Sequence, residues 1–216
     1  MWLIKKIISE IISHSTSILF PDYCYLCKKA TKKVSLCAAC LTHMKKTIDT
    51  SGPFIKSIYS FKDPNVKKCI HAIKYFHRKD LVIPFAKILA EEIKLMTNYR
   101  DFILIPIPMP RYRKYLRGYN HTEILAKLLS LETAIPYKNN ILIHNAKANK
   151  KRQVMTLSRK ERLKNQKNSF LVSHNIKNMN IILIDDVTTT GATLHEARRV
   201  LDKAGAASIV AFTIAH

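Results

Sequence analysis

The sequence predicts an α/β domain, a mostly parallel sheet flanked by helices, preceded by a small cysteine-rich module. Three observations carry that expectation. From residue 54 onward, strand-like and helix-like segments alternate, as they do when helices cross between parallel strands. Two apolar runs, Phe102-Ile103-Leu104-Ile105 and Ile181-Ile182-Leu183-Ile184, are continuous rather than alternating, the mark of strands covered on both faces. Four of the five cysteines form two C-x-x-C pairs near the N-terminus.

Residues 1–20 read as an amphipathic helix. Leu3, Ile4, Ile7, Ile8, Ile11, Ile12, Ile18 and Leu19 fall mainly on one face, and Lys5, Lys6, Ser9, Glu10 and Ser13 on the other. Such a helix either lies in a membrane interface, with Trp2 beside Lys5 and Lys6, or packs on the rest of the protein. Its charges interrupt it too often for a spanning segment. Residues 21–50 hold the cysteine module, and Ser51-Gly52-Pro53 punctuates the chain before the main domain, residues 54–216. In that domain the patterns predict strands at 55–61, 102–105, 141–143, 181–184 and 208–214. They predict helices at 65–76, 81–97, 119–131 and 192–204, the last stopped by Gly205. Pro84 falls near the start of its helix, where proline is tolerated.

A chain of 216 residues, 47% hydrophobic, suits one globular domain with a small appendage and excludes a disordered chain. Its charge is extreme: 37 Lys and Arg against 15 Asp and Glu give +22. That excess attracts polyanions, namely DNA, RNA or an anionic membrane surface. No small-residue cleavage site follows the first apolar stretch. The expected location is therefore the cytoplasm, peripheral on the inner face of the membrane if residues 1–20 bind it. In a reducing compartment, paired C-x-x-C motifs favour metal over disulfides. Cys24, Cys27, Cys37 and Cys40 supply four thiolates for a structural, tetrahedral Zn²⁺; an iron–sulfur site or redox thiols are the alternatives. Cys69 sits in an apolar helix pattern as a buried spectator.

The most informative segment runs Ile181-Ile182-Leu183-Ile184-Asp185-Asp186-Val187-Thr188-Thr189-Thr190-Gly191-Ala192-Thr193-Leu194. A buried strand ends in two carboxylates, a loop of hydroxyl residues and one glycine follows, and a helix starts at once. Ligands of open α/β sheets bind at the carboxyl ends of strands. Free N–H groups at a helix N-terminus receive phosphate, and glycine permits close approach. Carboxylates beside a phosphate site need a purpose, and sugar hydroxyls or a bridging Mg²⁺ provide one. The alternative is that Asp185 and Thr188 merely cap the helix.

This segment resembles the phosphoribosyl pyrophosphate signature of the type I phosphoribosyltransferases. The resemblance implies a type I phosphoribosyltransferase-like fold, with Asp185 and Asp186 on the ribose hydroxyls as the catalytic candidates. It also implies that Thr188, Thr189, Thr190, Gly191, Ala192 and Thr193 hold the 5-phosphate. Ile105-Pro106-Ile107-Pro108-Met109-Pro110-Arg111 follows the earlier strand, and the resemblance implies that this loop, with Met109 and Arg111, meets pyrophosphate. The order of pieces is similar to the ComF competence family, ComFC-type. They are the cysteine module, Ile73-Lys74-Tyr75, Pro106 through Arg117-Gly118-Tyr119-Asn120, Leu157 through Asn165, and the Asp185 motif. That resemblance implies handling of incoming single-stranded DNA during natural transformation, with DNA-uptake proteins as partners.

Two basic clusters bear on nucleic acid. Arg111, Arg113, Lys114 and Arg117 crowd one short loop with Tyr112, Tyr115 and Tyr119, cations for phosphates and aromatics for base stacking. Residues 147–167 contain Lys150, Lys151 and Arg152. Lys151 and Arg152 have two candidate jobs, nucleic-acid phosphate or ligand pyrophosphate, since the resemblance implies a loop here that closes over the ligand. Two roles stay open: a DNA-handling protein that keeps the ligand site, and a phosphoribosyltransferase acting on a nucleobase or other acceptor.

Overall fold

The computed structural model describes residues 22–31, 34–47, 53–145 and 168–216. The expected helix at 1–20 and the cluster with Lys150, Lys151 and Arg152 lie outside the described residues. The chain divides into two compact units, Met1–Met44 and Lys45–His216.

In the first unit, β1 (Asp22–Tyr23) and β2 (Ala30–Thr31) pair antiparallel, and α1 (Ala38–His43) follows. Lys28 adopts a left-handed conformation, φ 61°. That turn lets its N–H reach the Cys24 carbonyl at 3.0 Å and closes the first C-x-x-C loop.

The second unit is built on a four-stranded, all-parallel sheet in the order β3 (Ile55–Tyr59), β8 (Ser208–Ala215), β7 (Asn180–Val187), β4 (Phe102–Pro106). A short antiparallel ribbon, β5 (Leu142–His144) with β6 (Phe170–Val172), lies apart from it. The helices are α2 (Pro64–Tyr75), α3 (Val82–Lys94), α4 (Arg111–Arg117), α5 (His121–Thr133) and α6 (Ala192–Lys203). Within the main domain, each long helix and each strand of the parallel sheet expected from periodicity is present within a few residues of its expected ends.

The run Ile181–Ile184 is fully buried in a central strand, whereas in β4, at the sheet edge, Leu104 and Ile105 are fully buried and Phe102 and Ile103 half-buried. Side chains alternate across them. Ile181 and Leu183 join Ile55, Ile105 and Ala211 in a core completed by Leu194, Ala197 and Leu201 of α6 and by Leu142 and Phe170 of the ribbon. Because all four strands run the same way, their carboxyl ends share one edge. The Ile107 N–H extends the ladder to the Ile184 carbonyl at 2.9 Å, which lays the loop after β4 alongside the two acids.

Two elements depart from expectation. The stretch Arg111–Arg117, read as a loop, is a helix. It is only seven residues long and buries none of them; Tyr112, Tyr115 and Leu116 share one face but stay exposed, too short a stripe to signal a packed helix. Lys45–Thr47 also belong with the main domain: Lys46 bridges Tyr59, and Thr47 N–H donates to the Ile58 carbonyl at 3.0 Å. The boundary between compact units thus precedes Ser51-Gly52-Pro53.

Within the second unit, Asp63 fastens Lys45 to the start of α2. Its Oδ1 accepts the Asn65 and Val66 N–H groups at the start of α2, and its Oδ2 accepts Lys45 N–H at 2.9 Å. Burial pushes its carboxyl up, but these N–H groups outweigh burial and hold it below the ordinary range. Asp63→Ala should destabilise by about 1–2 kcal/mol at neutral pH. A depressed folded-state pKa gives stability that is present above the unfolded value and lost as pH falls. Urea titrations should therefore show the gap to wild type closing below about pH 4.

Candidate functional site

Asp185 and Asp186 are consecutive on β7, so the pleat sends them to opposite faces. Asp186 turns toward α2 and α5. Its Oδ2 lies 2.8 Å from Lys74 Nζ and 3.0 Å from His121 Nε2, and its Oδ1 accepts Val187 N–H at 2.8 Å. Burial alone would raise this carboxyl, but the neighbouring His121 and Lys74 side chains prevail and hold it well below the usual range. Asp185 shares a register row with Thr213 of β8 and Ser57 of β3, whose hydroxyls meet at 2.7 Å. Its Oδ1 accepts Asp186 N–H at 2.9 Å. Loss of water and the neighbouring Asp186 charge push its carboxyl well above the ordinary range.

The anchors of Asp186 are themselves set by local structure. Asn120 caps α5 by accepting Thr122 N–H, and the Thr122 hydroxyl donates to the Ile107 carbonyl at 2.8 Å. This joins the start of α5 to the loop after β4 and holds His121, only 5% exposed, under the acid. His121 Nδ1 has no hydrogen-bond partner among the described residues.

The turn from β7 to α6 is shaped for an anion. Gly191 stands at the N-cap with φ 71° and no side-chain cap; Asp185 and Thr188 do not cap this helix. The nearest substitute is a long 3.4 Å contact from Ala192 N–H to Thr190 Oγ1. The N–H groups of Thr189, Thr190 and Gly191 donate to nothing among the described residues. A Cβ on Gly191 would meet the His195 ring at 3.0 Å and Ile55 at 3.2 Å. An uncapped helix terminus, open N–H groups and a glycine that admits no side chain fit a bound phosphate.

The basic residues form a separate face. Arg111, Arg113, Lys114 and Tyr115 are exposed along α4, with Lys114 3.6 Å from Glu123. Met109 is half-buried in the preceding loop. Tyr119, expected beside them, turns inward: it is 7% exposed, its hydroxyl donates to the Ile73 carbonyl, and Lys79 sits over its ring. Tyr75 takes the outer position instead, its ring stacked by Arg117 at 5.0 Å. Lys74, Tyr75, Tyr112, Arg113 and Arg117 line a groove of about 540 Å³.

In the first unit, the sulfurs of Cys24, Cys27, Cys37 and Cys40 lie within 4.8 Å of one another. Cys27 and Cys37 are 3.8 Å apart, which is the edge of a tetrahedron with bonds of about 2.3 Å to a zinc ion. Cys37 N–H points at Cys24 Sγ and Cys40 N–H at Cys37 Sγ. Burial opposes ionisation of Cys24, yet the N–H groups of Cys27, Cys37 and Leu26 hold its thiol down at about 6. Burial and the other cysteines push Cys40 up to about 12, a strain that a cation shared by all four would relieve.

Comparison with known proteins follows the same lines. Residues 117–216 match the phosphoribosyl transferase domain family. Competence protein ComFC of Bacillus subtilis is 32% identical over 160 residues, 74% of this chain and 62% of that protein. Competence protein F of Haemophilus influenzae is 32% identical over 113 residues, 52% of this chain and 49% of that protein. The chain is similar to the ComF-type competence proteins. The DNA utilization protein YhgH of Salmonella typhimurium is 25% identical to this chain over 202 residues, 86% of each. The chain spans about three-fifths of the first of these relatives and about half of the second. Among solved structures, an allosteric regulatory enzyme of purine biosynthesis covers 67% of this chain and 30% of its own at 18% identity and a TM-score of 0.45, too distant to carry an argument. The fold rests on the parallel sheet and its motif.

Sequence reasoning missed Lys74 and His121 as partners of Asp186. Neither belongs to the strand–loop–helix motif, and only the packing of α2 and α5 brings them to it.

The two acids should respond oppositely to neutralisation. A raised folded-state pKa costs stability above it, so Asp185→Asn should stabilise the ligand-free protein by about 1 kcal/mol, or ~2–4 °C. Asp186→Asn leaves Lys74 and His121 without their anion and should destabilise by about 3 kcal/mol. Thermal scans at neutral pH of both variants check the signs.

Proposed function

We propose that this protein is a ComF-type competence protein, which handles incoming single-stranded DNA in natural transformation and binds phosphoribosyl pyrophosphate with Mg²⁺ at the β7–α6 edge. One observation carries the ligand assignment: two carboxylates and an uncapped, glycine-fronted helix terminus occupy the same sheet edge. Asp185 and Asp186 would accept the ribose hydroxyls and hold Mg²⁺ through its waters. Mg²⁺ supplies charge neutralisation for the pyrophosphate when bound. The N–H groups of Thr189, Thr190 and Gly191, with the Thr188, Thr190 and Thr193 hydroxyls, would take the 5-phosphate. Arg111, at the end of the loop after β4, is available to an anionic oxygen.

The DNA reading draws on the exposed cations and aromatics of α4, on the +22 charge, and on relatives named for competence and DNA utilization. The four cysteines would hold a structural zinc.

Calorimetry with Mg²⁺ present should show saturable heat for phosphoribosyl pyrophosphate. In the Asp185→Ala/Asp186→Ala double variant the affinity should fall at least ~100-fold, as expected for losing two charge-assisted contacts. No heat in the wild type, or heat unchanged in the variant, contradicts the assignment. For single-stranded DNA, Arg113→Ala/Arg117→Ala should weaken binding and flatten the slope of log K against log salt by about 1.4, two phosphate contacts' worth. Metal analysis in reducing buffer should find about one zinc per chain. Pyrophosphate release on adding nucleobases would mark a transferase; binding without release marks a binding module.

A further inference from the structure

We infer that Lys74 couples the two sites: ligand binding at Asp186 releases its ammonium into the α2–α4 groove, where it grips a phosphate of single-stranded DNA. The inference rests on the ligand and DNA readings above, and goes beyond them by making each ligand tighten the other.

The geometry begins at Asp186. Its Oδ1 is taken by Val187 N–H at 2.8 Å, and Lys74 Nζ and His121 Nε2 crowd its buried Oδ2 at 2.8 and 3.0 Å. The Asp186 side chain is only 9% exposed, so a ribose hydroxyl or a metal-bound water reaches it only if one of these neighbours moves aside. The backbone N–H is fixed by the strand end. His121 is buried at the first residue of α5, behind the Asn120 cap. Lys74 is the movable donor: its side chain is 22% exposed and hangs on a flexible four-carbon stem.

Where it goes is constrained as well. Lys74 lies in the last turn of α2, one residue before Tyr75, and both line the groove with Tyr112, Arg113 and Arg117. Arg117 stacks on Tyr75 at 5.0 Å and its Nη2 reaches the Tyr75 hydroxyl at 3.4 Å. Arg113 likewise covers Tyr112. Aromatic faces with guanidinium groups beside them suit bases and phosphates of a single strand. Bound to Asp186, Lys74 is neutralised as far as the groove is concerned. Displaced, it adds one positive charge to a surface that already recognises an anionic chain.

The consequence is thermodynamic and reciprocal. If occupation of Asp186 strengthens the groove for DNA, then DNA, by drawing Lys74 away, must strengthen the acid site by the same factor. Lys74 is partly exposed, so the factor belongs at the low end of known couplings, about five-fold. The freed cation contributes one more phosphate contact, which steepens the salt slope for a single strand by about 0.7.

The test uses the full chain, a fluorescein-labelled oligo(dT) about fifteen nucleotides long, and anisotropy titrations across a salt series, with and without saturating phosphoribosyl pyrophosphate and Mg²⁺. The wild type should bind the oligonucleotide about five-fold more tightly with the ligand present, with a slope steeper by about 0.7. In Lys74→Met both the affinity ratio and the slope should be the same with and without ligand. The readout is a ratio within one protein, so it is unaffected if the variant binds either partner more weakly. Circular dichroism confirms that it is folded, and Lys74→Gln serves if it is not. Both ligands binding to the wild type without mutual effect, or competing, overturns the coupling and leaves the functional reading intact. Coupling that persists in Lys74→Met overturns the role of Lys74. Absence of any calorimetric heat for phosphoribosyl pyrophosphate overturns the ligand assignment and the coupling with it.

Discussion

Two carboxylates on consecutive residues at the end of a buried strand are the constraint on which the rest of this structure depends. Like charges this close, with little water, cannot both ionise freely. The fold resolves the conflict asymmetrically. Asp186 receives Lys74, His121 and a backbone N–H, and stays an anion. Asp185 receives one N–H and a hydroxyl-lined row, and is pushed toward its neutral form. An unliganded protein has no structural use for that arrangement. A ligand bringing hydroxyl donors and a divalent cation gives it one, because both carboxylates then have partners.

Everything that positions this pair is architecture. The parallel order β3, β8, β7, β4 gathers all carboxyl ends on one edge. The Ile107–Ile184 bond draws the loop after β4 beside the acids, and the Thr122–Ile107 bond fastens α5 to that loop. One chain of short-range bonds thus links the strand end, the loop after β4 and the helix that supplies His121. The helix terminus beyond Gly191 is left uncapped on the same edge. Helix ends are normally capped by side chains or water, and this one is instead kept open by a glycine wedged against His195 and Ile55.

Much of this was legible in the sequence because it is local. A buried strand, two acids, a threonine-rich turn and a helix occupy fourteen consecutive residues, and each step follows from nearest-neighbour chemistry. The cysteine cluster is local in the same way. What escaped is either non-local or lacks periodicity. Lys74 and His121 stand far from Asp186 along the chain, and no spacing rule connects them to it. The helix α4 is only seven residues long and its one apolar face, Tyr112, Tyr115 and Leu116, is left exposed among cations, so it read as a loop. Tyr119 looked like a surface aromatic among arginines, but Gly118 turns the chain with φ 70° and Tyr119 is directed inward to the end of α2. The Ser51-Gly52-Pro53 punctuation marked a real break in pattern, yet Lys46 and Thr47 were already paired with β3.

The division of labour between the two acids makes the claim measurable at a single atom. Carbon-13 NMR of aspartate carboxyls, assigned with Asp185→Asn, would follow Asp185 through a pH titration of the free protein and again with phosphoribosyl pyrophosphate and Mg²⁺ bound. The account predicts that Asp185 titrates well above the ordinary carboxylate range of about 4 when free, and that the bound ligand brings its pKa down. An Asp185 that titrates at the ordinary value in the free protein, or does not respond to the ligand, would contradict it.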